Sequence, residues 1–338
     1  MSASANLHLR MVRSAPVITV AVLVALLALA IAIGGQVIAR QVVSGLLLGA
    51  IYMTVAVAFT LTIGVLNFLN FTIPTLFMLT GMTAWGLMSL GYLNFAGKGA
   101  WLVGLLAGVA VAVAASLLVE RFTFRYLKMK HGDATEHAIP LVSSLGFLIV
   151  FENIVLILFG SESQRFHVPF NADICIAGIA IGIPQLVSCV LAVAVVAGLS
   201  YILKSTKIGR ALRTIAENPD TASLLGVEVT RVVPIVFILT GLLAGVAGAL
   251  FTVNYADISP YMGDNVGTKA IAGMVLGGIG SIWGAIAGGL LVGLAETLSI
   301  QFFGGDSVQM VVWGLVLVII VLRPRGLFGS AALGKGKM

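Results

Sequence analysis

Apolar residues come in this chain in runs of about twenty, one after another, and that pattern limits the fold more than any motif does. A run of that length crosses the hydrocarbon layer as an α-helix, because lipid offers no partner to backbone N–H and C=O groups and a helix pairs them internally. Composition agrees. Of 338 residues 59% are hydrophobic and 9% charged, against about 25% charged in soluble domains. The mean hydropathy is +1.12. The expected class is an all-α polytopic membrane protein with about 8–10 transmembrane or half-membrane helices, forming a single transmembrane domain over residues 1–338. Cys175, Cys189 and four scattered histidines supply neither a metal-ligand cluster nor a disulfide framework.

The runs can be placed in order. Residues 16–39 read as a first, uncleaved span, since the apolar run continues past Ala28-Leu29-Ala30 and exceeds a secretory signal's ~7–15 apolar residues. Arg40 separates it from a second span, Gln41 to about Leu66, in which Gly45 and Gly49 place small residues on one face. NFLNFTIP, Asn67 to Pro74, interrupts the hydrophobicity before a third span ending near Leu90. Spans over Ala100–Val119 and Ala138–Phe159 follow. The polar loop 161–184 ends in DICIAGIAIGIP, whose partial alternation suggests a short strand pair. Gln185–Leu203 and Val232 to about Val253 are further spans, then comes a loop carrying Asp257, Pro260, Asp264 and Lys269, and Val308–Leu322 is the last span.

Charge distribution orients these spans. Fifteen of the nineteen Lys and Arg residues fall in the N-terminus, in the islands 120–137 and 204–231, and in the tail from Arg323. The positive-inside rule makes these segments, and both termini, cytoplasmic. The net charge of +6 is thus a topology signal and not a nucleic-acid footprint. Residues 268–303 must then cross an even number of times. They are fewer than the ~40 residues that two full crossings need, so two short or re-entrant half-helices are expected, broken near 277–284. Gly280, Gly284 and Gly288 fall on one face there, Gly289 and Gly293 on another. Broken backbone at membrane depth belongs where it lines a cavity, so a permeation path is expected here, with Gly277, Gly280 and Gly284 at the break.

The island Lys204–Arg231 has more local structure than a connecting loop needs. Gly209 to Glu217 puts Leu212, Ile215 and Ala216 on one face and Arg210, Arg213 and Glu217 off it. Asn218 is an N-cap for a second helix, Pro219 suits its first position, and Leu225 leads to Gly226 as a C-cap. Two short helices meeting at a proline read as a docking element for a cytoplasmic partner. No Ser/His/Asp set, HExxH motif or carboxylate cluster marks an enzyme, and GGIGS lacks the Lys and Ser/Thr of a phosphate-binding loop. Candidates for a path role are Glu152, taken as the deeper acid, Glu296, taken as nearer an interface, and Asn67, Asn70 and Asn153.

GRALRTIAENPDTASLLGV, KAIAGMVLGGIGSIWGAIAGGLLVGLAE, the terminal VLRPRGLFG and the early GLLLGAIYMTVAVAFTLTIGVLNFLNF together resemble the LivH-type permease of branched-chain amino acid ABC importers, from about Gly45 to Gly329. The resemblance implies a heterodimer with a second related permease, two cytoplasmic ATPases that bind ATP and magnesium in place of this chain, and a periplasmic substrate-binding protein. It implies a bacterial inner-membrane location, and that Arg210–Gly226 is the coupling segment. NFTIPTLF departs from the family's usual segment at that point, so urea, short amides or aromatic acids stand beside branched-chain amino acids as solutes. An ion-coupled secondary transporter using Glu152 or Glu296 is the alternative of a different class.

Overall fold

The computed structural model describes residue 35 and residues 37–91, 99–127, 138–166, 173–176, 179–324 and 326–328. The greater part of the expected first span, the Lys128 and Lys130 end of the first island and the basic tail lie outside the described residues. Among the described residues there are eleven α-helices. Seven helical segments are long and apolar enough to cross a membrane. In chain order the helices are α1 (Val37–Leu66), α2 (Ile73–Ser89), α3 (Ala100–Val119), α4 (Ala138–Phe159), α5 (Ile183–Ser205), α6 (Lys207–Glu217), α7 (Pro219–Leu224), α8 (Val229–Tyr255), α9 (Met262–Gly277), α10 (Ile282–Phe303) and α11 (Val308–Leu322). A turn of π-helix, Glu120–Leu127, extends α3. The strand pair expected in the 161–184 loop is present as β2 (Asp173–Ile176) against β3 (Ile179–Gly182), and β1 (Gln164–Arg165) pairs with β4 (Asp257–Ile258).

The core is organised around α1. From Ala50 to Leu61 its apolar residues are at most 3% exposed. Such burial in a membrane protein needs close helix contact, since Leu side chains gain little by leaving lipid for protein. Gly45 and Gly49 of α1 meet Gly289 and Gly293 of α10, where the two backbones touch. A Cβ added at Gly289 would stand 2.5 Å from the Met53 backbone, and one at Gly49 2.8 Å from the Leu290 Cα. On its other glycine face α10 uses Gly284 and Gly288 to receive the backbone of Gly277 and Gly273 on α9. The two glycine series read from the sequence are therefore two separate helix contacts.

Three boundaries differ from the sequence reading. Arg40, expected between two spans, lies inside α1. Met262 starts α9, so Asp264 and Lys269, assigned to a loop, are helical. α10 is a full-length helix of 22 residues, about 33 Å long, and not a half-helix. Of the pair only α9, with 16 residues, is short. The break does fall in the expected place: Gly278 (φ +110°) and Gly280 (φ +82°) make the turn, in conformations other residues avoid. Gly280 thus belongs to the turn and not to the Gly284–Gly288 face. The chain after α11 returns to this turn, where the Leu327 and Phe328 N–H groups donate to the Leu276 and Gly277 carbonyls at 2.9 and 2.8 Å. Those bonds satisfy acceptors that the end of α9 would otherwise leave open.

Candidate translocation and coupling site

Two regions carry the functional candidates. The first is the polar end formed by α6 and α7. Thr206 caps α6 by accepting the Gly209 N–H at 3.1 Å, and Asn218 caps α7 by accepting the Thr221 N–H at 3.1 Å. Gly226 ends the pair with φ +83°, as its C-cap reading requires. The amphipathic face reading holds, but its occupant does not. Of Leu212, Ile215 and Leu225, expected to pack into a partner, the first two are 0% and 2% exposed inside this chain's own core, where Ala222 is buried as well. They anchor the platform. What faces outward is Leu224 (87% exposed) and Leu225 (71%), with Arg210, Arg213 and Glu217 exposed on α6.

The second region is the contact of α1, α9 and α10. The Glu296 carboxylate accepts the Tyr52 hydroxyl at 2.6 Å and pairs with the Lys269 ammonium at 2.5 Å. Lys269 also lies 3.4 Å from the Tyr52 hydroxyl and over its ring, 5.7 Å from the centroid. Tyr52 stands near the midpoint of α1, so the pair sits far from either end of the helix. Isolated charges at such depth are expensive, and each makes the other tolerable. Removing one partner leaves the other charge buried and unpaired, a change worth about 3–5 kcal/mol.

Burial within the protein separates the two acids. Glu296 is the buried one at 8% exposure. Glu152 is only partly covered, on a helix that leaves most of its length open: 11% of the α4 window is buried. Asn153 is exposed and donates to the Ile149 carbonyl of its own helix, so it joins no neighbouring helix.

Asn67 and Asn70 belong to the break between α1 and α2. Asn67 takes φ +55°, which asparagine tolerates better than other side chains. The Asn70 Oδ1 accepts both the N–H (3.0 Å) and the hydroxyl (2.7 Å) of Thr72 and so turns the chain into α2, while the Phe71 N–H donates to Ser144 on α4. Asn70 is fully buried and Asn67 exposed. Gly277 and Gly284 are in backbone contact with each other, which makes them packing residues of the α9–α10 hairpin. The structure thus brings Glu296 together with Lys269 and Tyr52, and keeps Asn67, Asn70, Glu152 and Asn153 apart from them. Lys269 and Tyr52 were missed from sequence. A lone cation ahead of a small-residue run with a lone acid was the available signal, and it becomes readable once α9 and α10 are known to form a hairpin.

Comparison with known proteins fits this architecture. Residues 41–321 match the family described as branched-chain amino acid transport system, permease component. The high-affinity branched-chain amino acid transport system permease protein BraD of Pseudomonas aeruginosa is 30% identical over 88% of this chain and 97% of its own length. The corresponding LivH protein of Escherichia coli is 28% identical over the same shares. The ribose import permease protein RbsC of Bacillus subtilis is 31% identical over 55% of this chain and 59% of its own. A permease component moves solute and is not itself an enzyme. On this match and on the helical fold beneath it, the chain belongs to the family of permease components of branched-chain amino acid transport systems.

Proposed function

We propose that this chain is one of two related permease subunits of an ATP-driven importer, held in the bacterial inner membrane with both termini in the cytoplasm. Two cytoplasmic ATPases bind ATP and magnesium on its behalf, and a periplasmic binding protein delivers the solute. The solute is a branched-chain amino acid, the class named for the BraD and LivH relatives matched along almost their full length. The observation that carries the reading is the α6–α7 platform. Leu212 and Ile215 fix it rigidly to the membrane helices, and Leu224 and Leu225 are left bare at its tip. Large exposed leucines on a capped hairpin fit a partner's groove. Lys and Arg residues around the platform support a cytoplasmic position for it.

Ion coupling is disfavoured by the same geometry. Glu296, buried among the spans, is already held by Lys269 and Tyr52, whereas a proton carrier needs a carboxyl that exchanges with water. The test is uptake of labelled leucine into proteoliposomes containing the complete complex, with ATP enclosed and no ion gradient. ATP-dependent uptake that unlabelled leucine, isoleucine and valine suppress is the expected result. Competition by urea or a short amide alone transfers the solute to that class. Uptake that follows a proton or sodium gradient without ATP defeats the importer assignment.

A further inference from the structure

α9 has two unlike faces. One is wedged between neighbours: Gly263 and Gly267 lie against Pro74 of α2, and Gly273 and Gly277 against α10. The other is an open stripe of Asp264, Asn265 and Thr268, all exposed, continued by half-buried Ile271 and Val275. Lys269 marks the depth of this stripe, because its ammonium reaches Glu296 and the mid-helix Tyr52. Asp264 is five residues away, roughly 8 Å along the helix axis, well within a hydrocarbon half-thickness of about 15 Å. A carboxylate turned toward lipid at that level is strongly disfavoured, so the stripe faces water or protein.

We propose that α9 is a path-lining helix whose stripe of Asp264, Asn265 and Thr268 contacts the passing solute, and that the Lys269–Glu296–Tyr52 cluster is the positioning device that fixes which face α9 presents. The proposal deepens the importer reading and rests on it. Asp264 attracts an ammonium group, the Asn265 amide serves a carboxylate, and Ile271 and Val275 accept an aliphatic side chain, while the Thr268 hydroxyl, which donates to the Asp264 carbonyl at 2.9 Å, lines the stripe between them. A zwitterion with a short apolar tail meets these groups in sequence as it moves along the stripe. Lys269 and Glu296 touch no solute; they act through α9. Glycine contacts alone allow a short helix to roll, because they are close but not directional, whereas an ion pair anchored to a phenol on a third helix admits one rotation.

The experiment uses the complete complex in proteoliposomes, with Cys175 and Cys189 replaced by Ser. Thr268→Cys is treated with a water-soluble cationic thiol reagent and, separately, with a lipid-soluble maleimide. The water-soluble reagent is expected to react and to block uptake, with leucine slowing the reaction. Reaction with the lipid-soluble reagent alone puts α9 against lipid and overturns the path assignment. For the positioning role, Lys269→Met is expected to lower ATP-driven uptake on the order of tenfold while ATP hydrolysis persists, and the exchange K269E with E296K to recover most of it. If the exchange restores amount of complex but not uptake, or fails to assemble, the pair is a packing element only and the positioning role falls. Wild-type uptake without ATP would instead defeat the importer reading, and Thr268→Cys accessibility still reports on α9 in that event.

Discussion

At the scale of single residues, burial separates two sets of leucines that the sequence leaves indistinguishable. Leu212→Asp puts a carboxylate into a fully buried site, which costs several kcal/mol, and is expected to deplete the folded chain itself in detergent extracts. Leu225→Asp, at a site 71% exposed, is expected to leave the chain's yield and melting temperature unchanged while the ATPase no longer co-purifies. Equal yields for both variants would refute the anchor role of Leu212. The 3.6-residue periodicity did show that Leu212 and Ile215 share a covered face. It could not show what covers them, since burial in one's own core and burial in a partner leave the same pattern. Tyr52→Phe removes the hydroxyl from Glu296 and is expected to lower stability by about 1–3 kcal/mol, read as a reduced melting temperature of the purified complex.

At the scale of elements, the glycine contacts make a prediction of opposite signs. Gly289→Ala sets a Cβ 2.5 Å from the Met53 backbone and forces α1 and α10 apart, an overpacking cost of about 1–3 kcal/mol. Gly198→Ala on α5 meets nothing within 4 Å and removes a helix-weakening glycine, so it gains up to about 1 kcal/mol. Thermal unfolding of the two variants checks the contrast, and a stabilised Gly289→Ala would contradict the α1–α10 contact. Most elements were legible, because lipid forces long apolar runs into helices: α3 and α4 have the bounds read from sequence. The α9–α10 hairpin was misjudged in length. Asp264 and Lys269 look like loop residues, and only Glu296, twenty-seven positions on, makes a buried Lys269 tolerable.

At the scale of the molecule, the two acids answer different questions. Glu152 is partly covered, while Glu296 is locked in the core. On the proposal that energy enters through the α6–α7 platform, Glu152→Gln is expected to keep substantial ATP-dependent leucine uptake, with a change confined to apparent affinity. Loss of all uptake by an assembled Glu152→Gln complex would show that its charge is needed for transport. The site was less legible than the fold, since Tyr52 on α1, Lys269 on α9 and Glu296 on α10 meet only in the folded chain and leave no contiguous signature in it.

The return of residues 326–328 to the α9–α10 turn has a practical corollary for anyone handling the protein. A fluorescent reporter or affinity tag fused directly after Leu322 strips the Leu276 and Gly277 carbonyls of their donors and loosens the end of the helix that we place along the path. Fused after Phe328, it leaves both bonds in place. Tag position alone can therefore decide whether a purified sample is active.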